Sequence, residues 1–350
     1  MAYTTINKST DYFNTKLYTG NGSTQSITGV GFKPDATFFK QRTGSPSSSG
    51  SQFYDAVRGA TKYLSTHSDN AEATQSNGLT SFDSDGFSIG STSRINGNTE
   101  SYVTWNWLAN GVGSTNYDGS INSTVSANTT SGFSIVSWTG TGANATVGHG
   151  LGSAPSMIIL KNRETTGENW LCYHKNLGGT KYVKLNETSA EGTSSSIWND
   201  TDPTNSVFSI GANSASNGSG LDMIAYCFAE KTGYSKFGSY VSNGVSGNGS
   251  FTYLGFKPSF VIHKRTDSAG DWRSWNNKAD AFNQNNKSIF PNTNSTEYDT
   301  TNVGVDFLSN GIKWRQTDTT NNNPSGGTFI YMAFAEAPLV GSNNVPCTAR

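Results

Sequence analysis

The sequence repeats one segment three times, and this repetition limits the possible folds more than any single motif does. Each copy contains a Gly-x-x-Pro segment, a mostly apolar run that ends in Lys, and a closing run of aromatic and apolar residues. The proline and last aromatic residue of the three copies are Pro34 and Trp107, Pro155 and Phe228, and Pro258 and Phe334. They lie 73, 73 and 76 residues apart. Two anchors that keep nearly the same spacing in three copies indicate a repeated structural unit.

Each copy is long enough to form a domain. The prolines are 121 and 103 residues apart, whereas the repeats of solenoid proteins are about 20–50 residues long. We therefore expect three domains, at 1–113, 114–235 and 236–350. The join at 111–120 is polar and rich in turn formers, as in a linker. The join at 231–236 is short, so the second and third domains are expected to touch.

Local patterns indicate β-strands throughout the chain. Only 14% of the residues are charged, and Ser, Thr, Asn and Gly, which favour turns and short strands, are abundant instead. Eight Asn-Gly and two Asp-Gly pairs are expected to supply the positive φ angles of tight hairpin turns. Short alternating runs such as 133–138 and 328–334 lie between them. The sequence predicts an all-β chain of three tandem antiparallel β-sandwich domains of jelly-roll-like type, with the repeated prolines at the start of strands.

Charge and hydropathy argue against several classes of protein. The formal net charge is −1, whereas nucleic-acid binding depends on neutralising phosphates. No apolar run approaches the ~20 residues of a membrane-spanning helix, and the first residues lack the apolar core of a signal peptide. Cys172, Cys227 and Cys347 are too widely spaced for a disulfide framework or a zinc motif. We expect a protein made in a reducing cytoplasm, without contact to nucleic acid and without membrane insertion.

One segment formally matches a catalytic motif. Residues 86–90, Gly-Phe-Ser-Ile-Gly, fit the nucleophile elbow of hydrolases, which requires a strand, a turn and a helix. The alternation of Phe, Ser and Ile is instead typical of a half-buried strand, and the second copy has Val-Phe-Ser-Ile-Gly at 207–211. The segment from Asp83 to Gly86 is similar to the start of a calcium loop, but Arg94 occupies the place where an EF-hand needs Glu. An Asp-Gly hairpin is the favoured interpretation.

No arrangement of acids or histidines indicates catalysis. A glycosidase needs two carboxyl groups across one bond, one of them partly desolvated. The acid pairs in loop-like sequence show neither condition; they are Asp200 and Asp202, Glu164 and Glu168, and Asp267 and Asp271. Glu230 and Glu336 each follow a Phe-Ala pair in two of the copies, which favours an architectural role. We expect no catalytic residue, no bound metal and no cofactor.

Tryptophans in polar segments are the candidate binding residues. Aromatic rings next to Asn, Asp and Arg suit carbohydrate recognition, since rings stack on sugar faces and amides bond hydroxyl groups. The five candidates are Trp170, Trp198, Trp272, Trp275 and Trp314. The alternative is that these rings fill the cores or subunit contacts of small β domains.

Several longer motifs resemble a family of virion proteins encoded by marine tailed phages, including phages of cyanobacteria and pelagic bacteria. These motifs are the segments 12–22, 29–35, 55–62, 81–87, 226–230, 331–340 and 345–350. They cover essentially the whole chain. The resemblance implies a phage virion as the location, a structural or tail-fibre-like role, other virion proteins as partners, and a homotrimer by analogy with phage appendages. It brings no catalytic motif with it.

Two functions remain open within that setting. The first is a tail-fibre or appendage component that attaches to host surface polysaccharide, with weak sites on several domains adding up to avidity. The second is a capsid or tail decoration whose contacts are only structural. A polysaccharide depolymerase is a further alternative.

Overall fold

The computed structural model describes residues 3–44, 50–318, 322–341, 346 and 347. In these residues nearly all regular structure is antiparallel β-strand, which confirms the predicted all-β class. The helical elements are single turns: α1 (Ser93–Asn96), α2 (Ser195–Trp198), α3 (Ser214–Asn217), and 3-10 turns at Ser9–Asp11 and Thr301–Val303.

The first copy of the repeat forms a six-stranded sheet and a three-stranded sheet. The large sheet has the strand order β1-β9-β3-β4-β5-β6 and the small sheet the order β2-β8-β7. The strands are β1 (Phe13–Thr19), β2 (Gln25–Thr28), β3 (Ala36–Gln41), β4 (Ser51–Asp55), β5 (Lys62–Ser65), β6 (Ala73–Thr74), β7 (Leu79–Asp83), β8 (Gly86–Ile89) and β9 (Ser101–Trp107).

The second copy forms an eight-stranded sheet and a two-stranded sheet. The orders are β10-β11-β12-β19-β14-β15-β16-β17 and β13-β18. The strands are β10 (Ser114–Asn116), β11 (Ser123–Asn128), β12 (Phe133–Thr139), β13 (Ala145–Gly148), β14 (Met157–Asn162), β15 (Leu171–His174), β16 (Lys181–Lys184), β17 (Gly192–Thr193), β18 (Val207–Ile210) and β19 (Asp222–Phe228).

The third copy forms a four-stranded sheet, a three-stranded sheet and a small hairpin. The orders are β20-β28-β22-β23, β21-β27-β26 and β24-β25. The strands are β20 (Ser235–Val241), β21 (Phe251–Tyr253), β22 (Phe256–Arg265), β23 (Arg273–Asn276), β24 (Lys287–Ser288), β25 (Tyr298–Asp299), β26 (Val305–Leu308), β27 (Gly311–Trp314) and β28 (Thr328–Pro338).

The repeat in the sequence is a repeat of strand topology. The closing run of each copy forms its closing strand, which is β9, β19 or β28. In each large sheet this closing strand lies between the first long strand of the copy and the strand that carries or follows the proline. The three series are β1-β9-β3-β4, β12-β19-β14-β15 and β20-β28-β22-β23. We call the three copies units 1, 2 and 3. Their limits as separate domains stay a prediction.

The closing strands bury both of their faces. On one face, alternate side chains pack within their own unit, and in units 2 and 3 they belong to that unit's own apolar cluster. On the other face, side chains from all three units form one shared cluster, which we call the central core. Its members from the closing strands include Trp105, Trp107, Tyr226, Phe228, Met332 and Phe334. Since burying one large apolar side chain contributes roughly 1.5–3 kcal/mol, the central core joins the units.

Three equivalent lysines also connect the units in a cyclic order. Lys40, Lys161 and Lys264 occupy the same register position opposite the closing strand, and each is buried. Each ammonium group donates to a backbone carbonyl of another unit. The pairs are Lys40 with Thr293, Lys161 with Asp69 and Lys264 with Thr188, at 2.5, 3.3 and 3.2 Å. Unit 1 thus contacts unit 3, unit 2 contacts unit 1, and unit 3 contacts unit 2. Burial lowers the lysine pKa values to about 7, about 8 and about 8.

Most of the Asn-Gly and Asp-Gly pairs lack the positive φ angle that the sequence predicts for their glycines. Only four of the ten Asn-Gly and Asp-Gly glycines have a positive φ; they are Gly22, Gly86, Gly111 and Gly244. The asparagines of two other pairs, Asn96 and Asn217, are buried and hold neighbouring loops through their side-chain amides. At these two positions the asparagine acts as a connector between loops, because a buried amide must bond to backbone groups.

A buried charge network joins units 1 and 2. The Arg58 guanidinium forms ion pairs with Asp55 and Glu72, and it also donates to the Tyr226 hydroxyl at 3.1 Å. That hydroxyl donates to Asp55 Oδ2 at 2.7 Å. Burial raises the pKa of Glu72, but the hydrogen bonds and charges of Arg163 and Arg58 outweigh it and lower the pKa to about 2.

We predict that Arg58→Ala destabilises the chain far more than loss of a surface ion pair does. Removing the arginine leaves the fully buried Asp55 carboxylate without its cation, which costs about 3–5 kcal/mol. Lys8→Ala is the control, because its ion pair with Asp11 is exposed to solvent and contributes at most ~1 kcal/mol. Equilibrium denaturation in urea measures both variants. Equal midpoints for the two would contradict the assigned role of the network.

Candidate functional site

All five tryptophans predicted to stack on sugars are buried. Trp170, Trp198, Trp272, Trp275 and Trp314 are each at most 1% exposed. Sugar stacking needs a ring face open to solvent, so the alternative interpretation applies and these rings are core residues. The indoles of Trp170 and Trp272 even cross between units, since they donate to the Ser65 and Lys184 carbonyls at 2.9 and 2.8 Å.

The formal catalytic motif is a strand. Residues 86–89 form β8, as the alternation predicts, and the Ser88 hydroxyl donates to the Asp83 carboxylate at 2.6 Å. Asp85 lies in the β7–β8 turn, where its carboxylate accepts from the backbone N–H groups of Gly29 and Gly31. These two groups lower the pKa of Asp85. The Asp-Gly hairpin interpretation is therefore confirmed.

The acid pairs hold local structure. Asp202 accepts from the Tyr173 hydroxyl, Glu168 from the Ser214 hydroxyl and Asp271 from the Asn292 amide, while Asp267 pairs with Arg265. Among the described residues, no group of three or more His, Cys, Asp or Glu side chains could hold a metal ion. No helix in the same part of the chain is long and apolar enough to cross a membrane.

Two exposed aromatic rings stand on the outer sheet of unit 3. Phe251 and Tyr253 of β21 are 47% and 54% exposed, whereas Thr252 between them is buried. The Thr252 hydroxyl accepts from the indole N–H of Trp314 at 2.9 Å, which fixes the inward side of the strand. Since successive side chains of a strand point to opposite faces, both rings project to the outside.

Units 1 and 2 lack such rings at the equivalent positions. The register with the neighbouring strand equates Thr252 with the inward residues Ile27 and Val147. Phe251 then corresponds to Ser26 and Thr146, and Tyr253 to Thr28 and Gly148. Of the eight large apolar side chains that the described residues expose, six belong to unit 3: Val241, Val245, Phe251, Tyr253, Phe282 and Tyr298. Unit 3 is thus the unit with an exposed aromatic surface.

Charged and amide side chains continue this surface. Lys313 is paired in register with both Phe251 and Asp306. Arg315 donates to Asp306 at 2.7 Å and to the Gly247 carbonyl at 3.3 Å. Next to them lies an open groove of about 540 Å³, lined by Gly247, Asn283, Gln284, Thr301, Asp306, Arg315 and Thr317. We call Phe251, Tyr253, Lys313 and this groove the outer face of unit 3.

The outer face combines the groups that bind hydroxylated ligands. Exposed rings offer apolar faces, and nearby amides, hydroxyls, a carboxylate and a guanidinium offer hydrogen bonds of both kinds. Binding sites typically pair apolar surface with a few polar groups that fix orientation. The geometry therefore suits a carbohydrate better than a purely apolar ligand.

Residues 8–338 match the model of a family described as a domain of unknown function, DUF7483. The chain belongs to this family. The matched region contains all three units, which agrees with the central core that they share. No curated protein matches the sequence significantly.

We predict that truncating the outer rings leaves folding intact, whereas truncating a core ring does not. The double change Phe251→Ala and Tyr253→Ala should alter the free energy of unfolding by about 1 kcal/mol or less, since surface side chains contribute little. Trp314→Ala should cost about 3–5 kcal/mol because it opens a cavity in the core of unit 3. Urea denaturation followed by circular dichroism measures both. A large loss for the double variant would show that the two rings are structural.

Proposed function

We propose that this chain is a virion protein of a tailed phage, a tail-fibre or appendage component that attaches the particle to host surface glycans. The single observation that supports attachment is the exposed aromatic pair Phe251 and Tyr253, which unit 3 has and the other units lack. The virion setting rests on the resemblance of the sequence motifs to phage virion proteins. Its partners in that setting are other virion proteins and further copies of the chain, as a homotrimer.

The ligand class follows from the chemistry of the outer face. Alternate residues of a strand are about 7 Å apart, so the two rings form a platform longer than one aromatic side chain. Asp306, Arg315 and the amides of Asn283 and Gln284 line the groove of the outer face. A chain of neutral or weakly charged sugar rings matches both the platform and the row of polar groups.

Avidity requires several chains rather than several units of one chain. Small polar residues occupy the equivalent strand positions in units 1 and 2, so each chain presents one outer face of this kind. A trimer would place three such faces on one particle appendage. Linked weak sites bind far more tightly than one site because later contacts form at high effective concentration.

A decoration protein with only structural contacts is the second candidate. The exposed valines Val241 and Val245 precede the aromatic pair, and the Val241 carbonyl accepts from Ser250 next to Phe251. Contiguous exposed apolar side chains are typical of protein–protein contacts. In this case the outer face would pack against another virion protein.

We predict that the double variant Phe251→Ala and Tyr253→Ala loses binding to purified host polysaccharide. The double variant loses two aromatic contacts of about 0.5–1.5 kcal/mol each, so the affinity should fall about 5–150-fold. Tyr117→Ala is the matched control, because Tyr117 is 73% exposed outside unit 3. Biosensor binding of the full chain to immobilised polysaccharide and to host cells measures the effect.

Several outcomes would oppose the proposal. Binding of the double variant at wild-type strength would exclude the outer face as the site. Absence of wild-type binding to host cells and polysaccharide would favour the decoration role. Release of reducing ends during the incubation would instead indicate the depolymerase alternative.

A further inference from the structure

The large sheet of unit 2 has two strands at its edge that the other large sheets lack. Its order begins β10-β11-β12, whereas the sheets of units 1 and 3 begin with β1 and β20, the strands equivalent to β12. Strand β11 pairs antiparallel with residues 133–137 of β12. In units 1 and 3 no strand of the described residues lies beyond the corresponding edge. An open sheet edge is a place where a segment of another chain can add as a strand.

The edge of β1 has backbone groups without partners. The hydrogen bonds that join β1 to β9 use the even-numbered residues of β1, so the N–H and C=O groups of the odd-numbered residues point away from the sheet. The Thr19 carbonyl, at the end of the strand, accepts from the Gln25 amide at 3.2 Å. In the middle of the strand, the outward groups of Thr15 and Leu17 form no hydrogen bond within the part of the chain that the structure describes.

The equivalent edge of unit 3 is capped by side chains. The Phe237 N–H of β20 donates to the Glu230 carboxylate at 3.2 Å, and the Val241 carbonyl accepts from the Ser250 hydroxyl at 2.6 Å. Both backbone groups belong to residues that point outward in the register of β20 with β28. The edge of β1 in unit 1 is therefore the more open of the two.

An open groove of about 280 Å³ lies along the edge of β1. It is lined by Asn14, Thr15, Lys16, Leu17, Gly29 and Lys278. We call it the β1 groove. Thr15 lies at its base and is 4% exposed, whereas Lys278 of unit 3 is exposed to solvent. In unit 2 the residues equivalent to 14–17 are 134–137, and all four are paired with β11. The β1 groove thus corresponds to the place of β11.

Two equivalent glycines support this correspondence. Gly29 and Gly150 each lie five residues before the proline of their copy, and both have a positive φ, of 81° and 68°. A Cβ on Gly150 would lie 2.9 and 3.3 Å from the side chains of Val125 and Ala127 in β11. Gly150 therefore leaves room for β11. A Cβ on Gly29 would instead meet the Lys16 ammonium group, at 3.0 Å. Unit 1 has the same glycine but no strand beside it.

The β1 groove is basic where unit 2 is apolar. The register with the closing strand equates Lys16 with Val136, which pairs with Val125 of β11 in the apolar cluster of unit 2. Lys278 adds a second ammonium group. The Asp85 carboxylate acts on Lys16 from nearby, but its two oxygens already accept from two backbone N–H groups. Since opposite charges on neighbouring strands attract each other, an acidic residue fits beside Lys16 better than an apolar one.

We propose that the edge of β1 binds an extended acidic segment of a partner protein as an added antiparallel strand. The outward N–H and C=O groups of Thr15 and Leu17 bond to the backbone of the segment, and an Asp or Glu of the segment lies beside Lys16, where β11 has Val125. A second copy of β1 fits less well, because antiparallel pairing of two such edges brings two Lys16 ammonium groups together. The β1 groove is separate from the outer face of unit 3 and does not depend on its function.

The test uses two peptides that differ in one residue, with the full chain. Both have the sequence of residues 120–130; the acidic peptide has Glu in place of Val125, and the basic peptide has Lys there. In fluorescence anisotropy the acidic peptide should bind at least about fivefold more tightly, because its Glu attracts Lys16 and the Lys of the other peptide repels it. Hydrogen exchange followed by mass spectrometry should show protection of residues 13–19. Equal binding of the two peptides, no binding of the acidic peptide, or protection elsewhere would overturn the proposal.

Three variants locate the added strand. Lys16→Glu should reverse the preference, so that the basic peptide binds more tightly. Lys181→Glu is the matched control, since it makes the same charge change on β16 of unit 2 and should keep the preference. Leu17→Pro should abolish binding of both peptides, because proline lacks the outward N–H, and an edge strand tolerates this loss. If Leu17→Pro fails to fold, Lys16→Glu decides. An unchanged preference for the acidic peptide in Lys16→Glu would contradict the proposed site.

Discussion

The fold depends on the central core, where alternate side chains of three closing strands meet. Trp107, Phe228 and Phe334 come from three units, and their ring centres lie 6.1–6.2 Å from one another. Each large sheet therefore buries its inner face against the other two, while its opposite face packs within its own unit. This is why the closing strands are buried on both sides. Apolar contacts have little directionality. The cyclic lysine contacts and the Arg58 network add directional bonds between the units, and these bonds favour one relative orientation of the units.

In this arrangement the shared core serves folding, and surface positions are left for recognition. The three units share the order of four strands in their large sheets, and unit 3 differs from the other two at the positions compared above. Phe251 and Tyr253 stand in place of Ser, Thr and Gly on the outer sheet. The repeated strand order forms the framework, and the residues in which unit 3 differs from units 1 and 2 form the candidate site. In a trimer, such a site would recur at three places on one appendage.

The sequence was sufficient for the class of fold and the repeat, because strand alternation and the spacing of anchors are local or periodic signals. The polar segment around Trp272 and Trp275 wrongly indicated exposed rings. Both rings are buried, one in the central core and the other in the core of unit 3, because their burial depends on sheets that are distant in sequence. The strand around Phe251 could be predicted, but its outward direction could not, because the inward residue is the polar Thr252. The positive φ expected for most Asn-Gly pairs failed for a similar reason: at Asn96 and Asn217 the buried side chain, rather than the glycine, determines the local structure.

An appendage protein of the kind we propose lies on the phage tail and contacts the host. Immunogold labelling of intact virions, viewed by electron microscopy with an antibody raised against the purified chain, tests it most directly. We expect gold on the tail or its fibres, and loss of host adsorption when the antibody is bound. Gold spread over the head, or unlabelled virions, would contradict it.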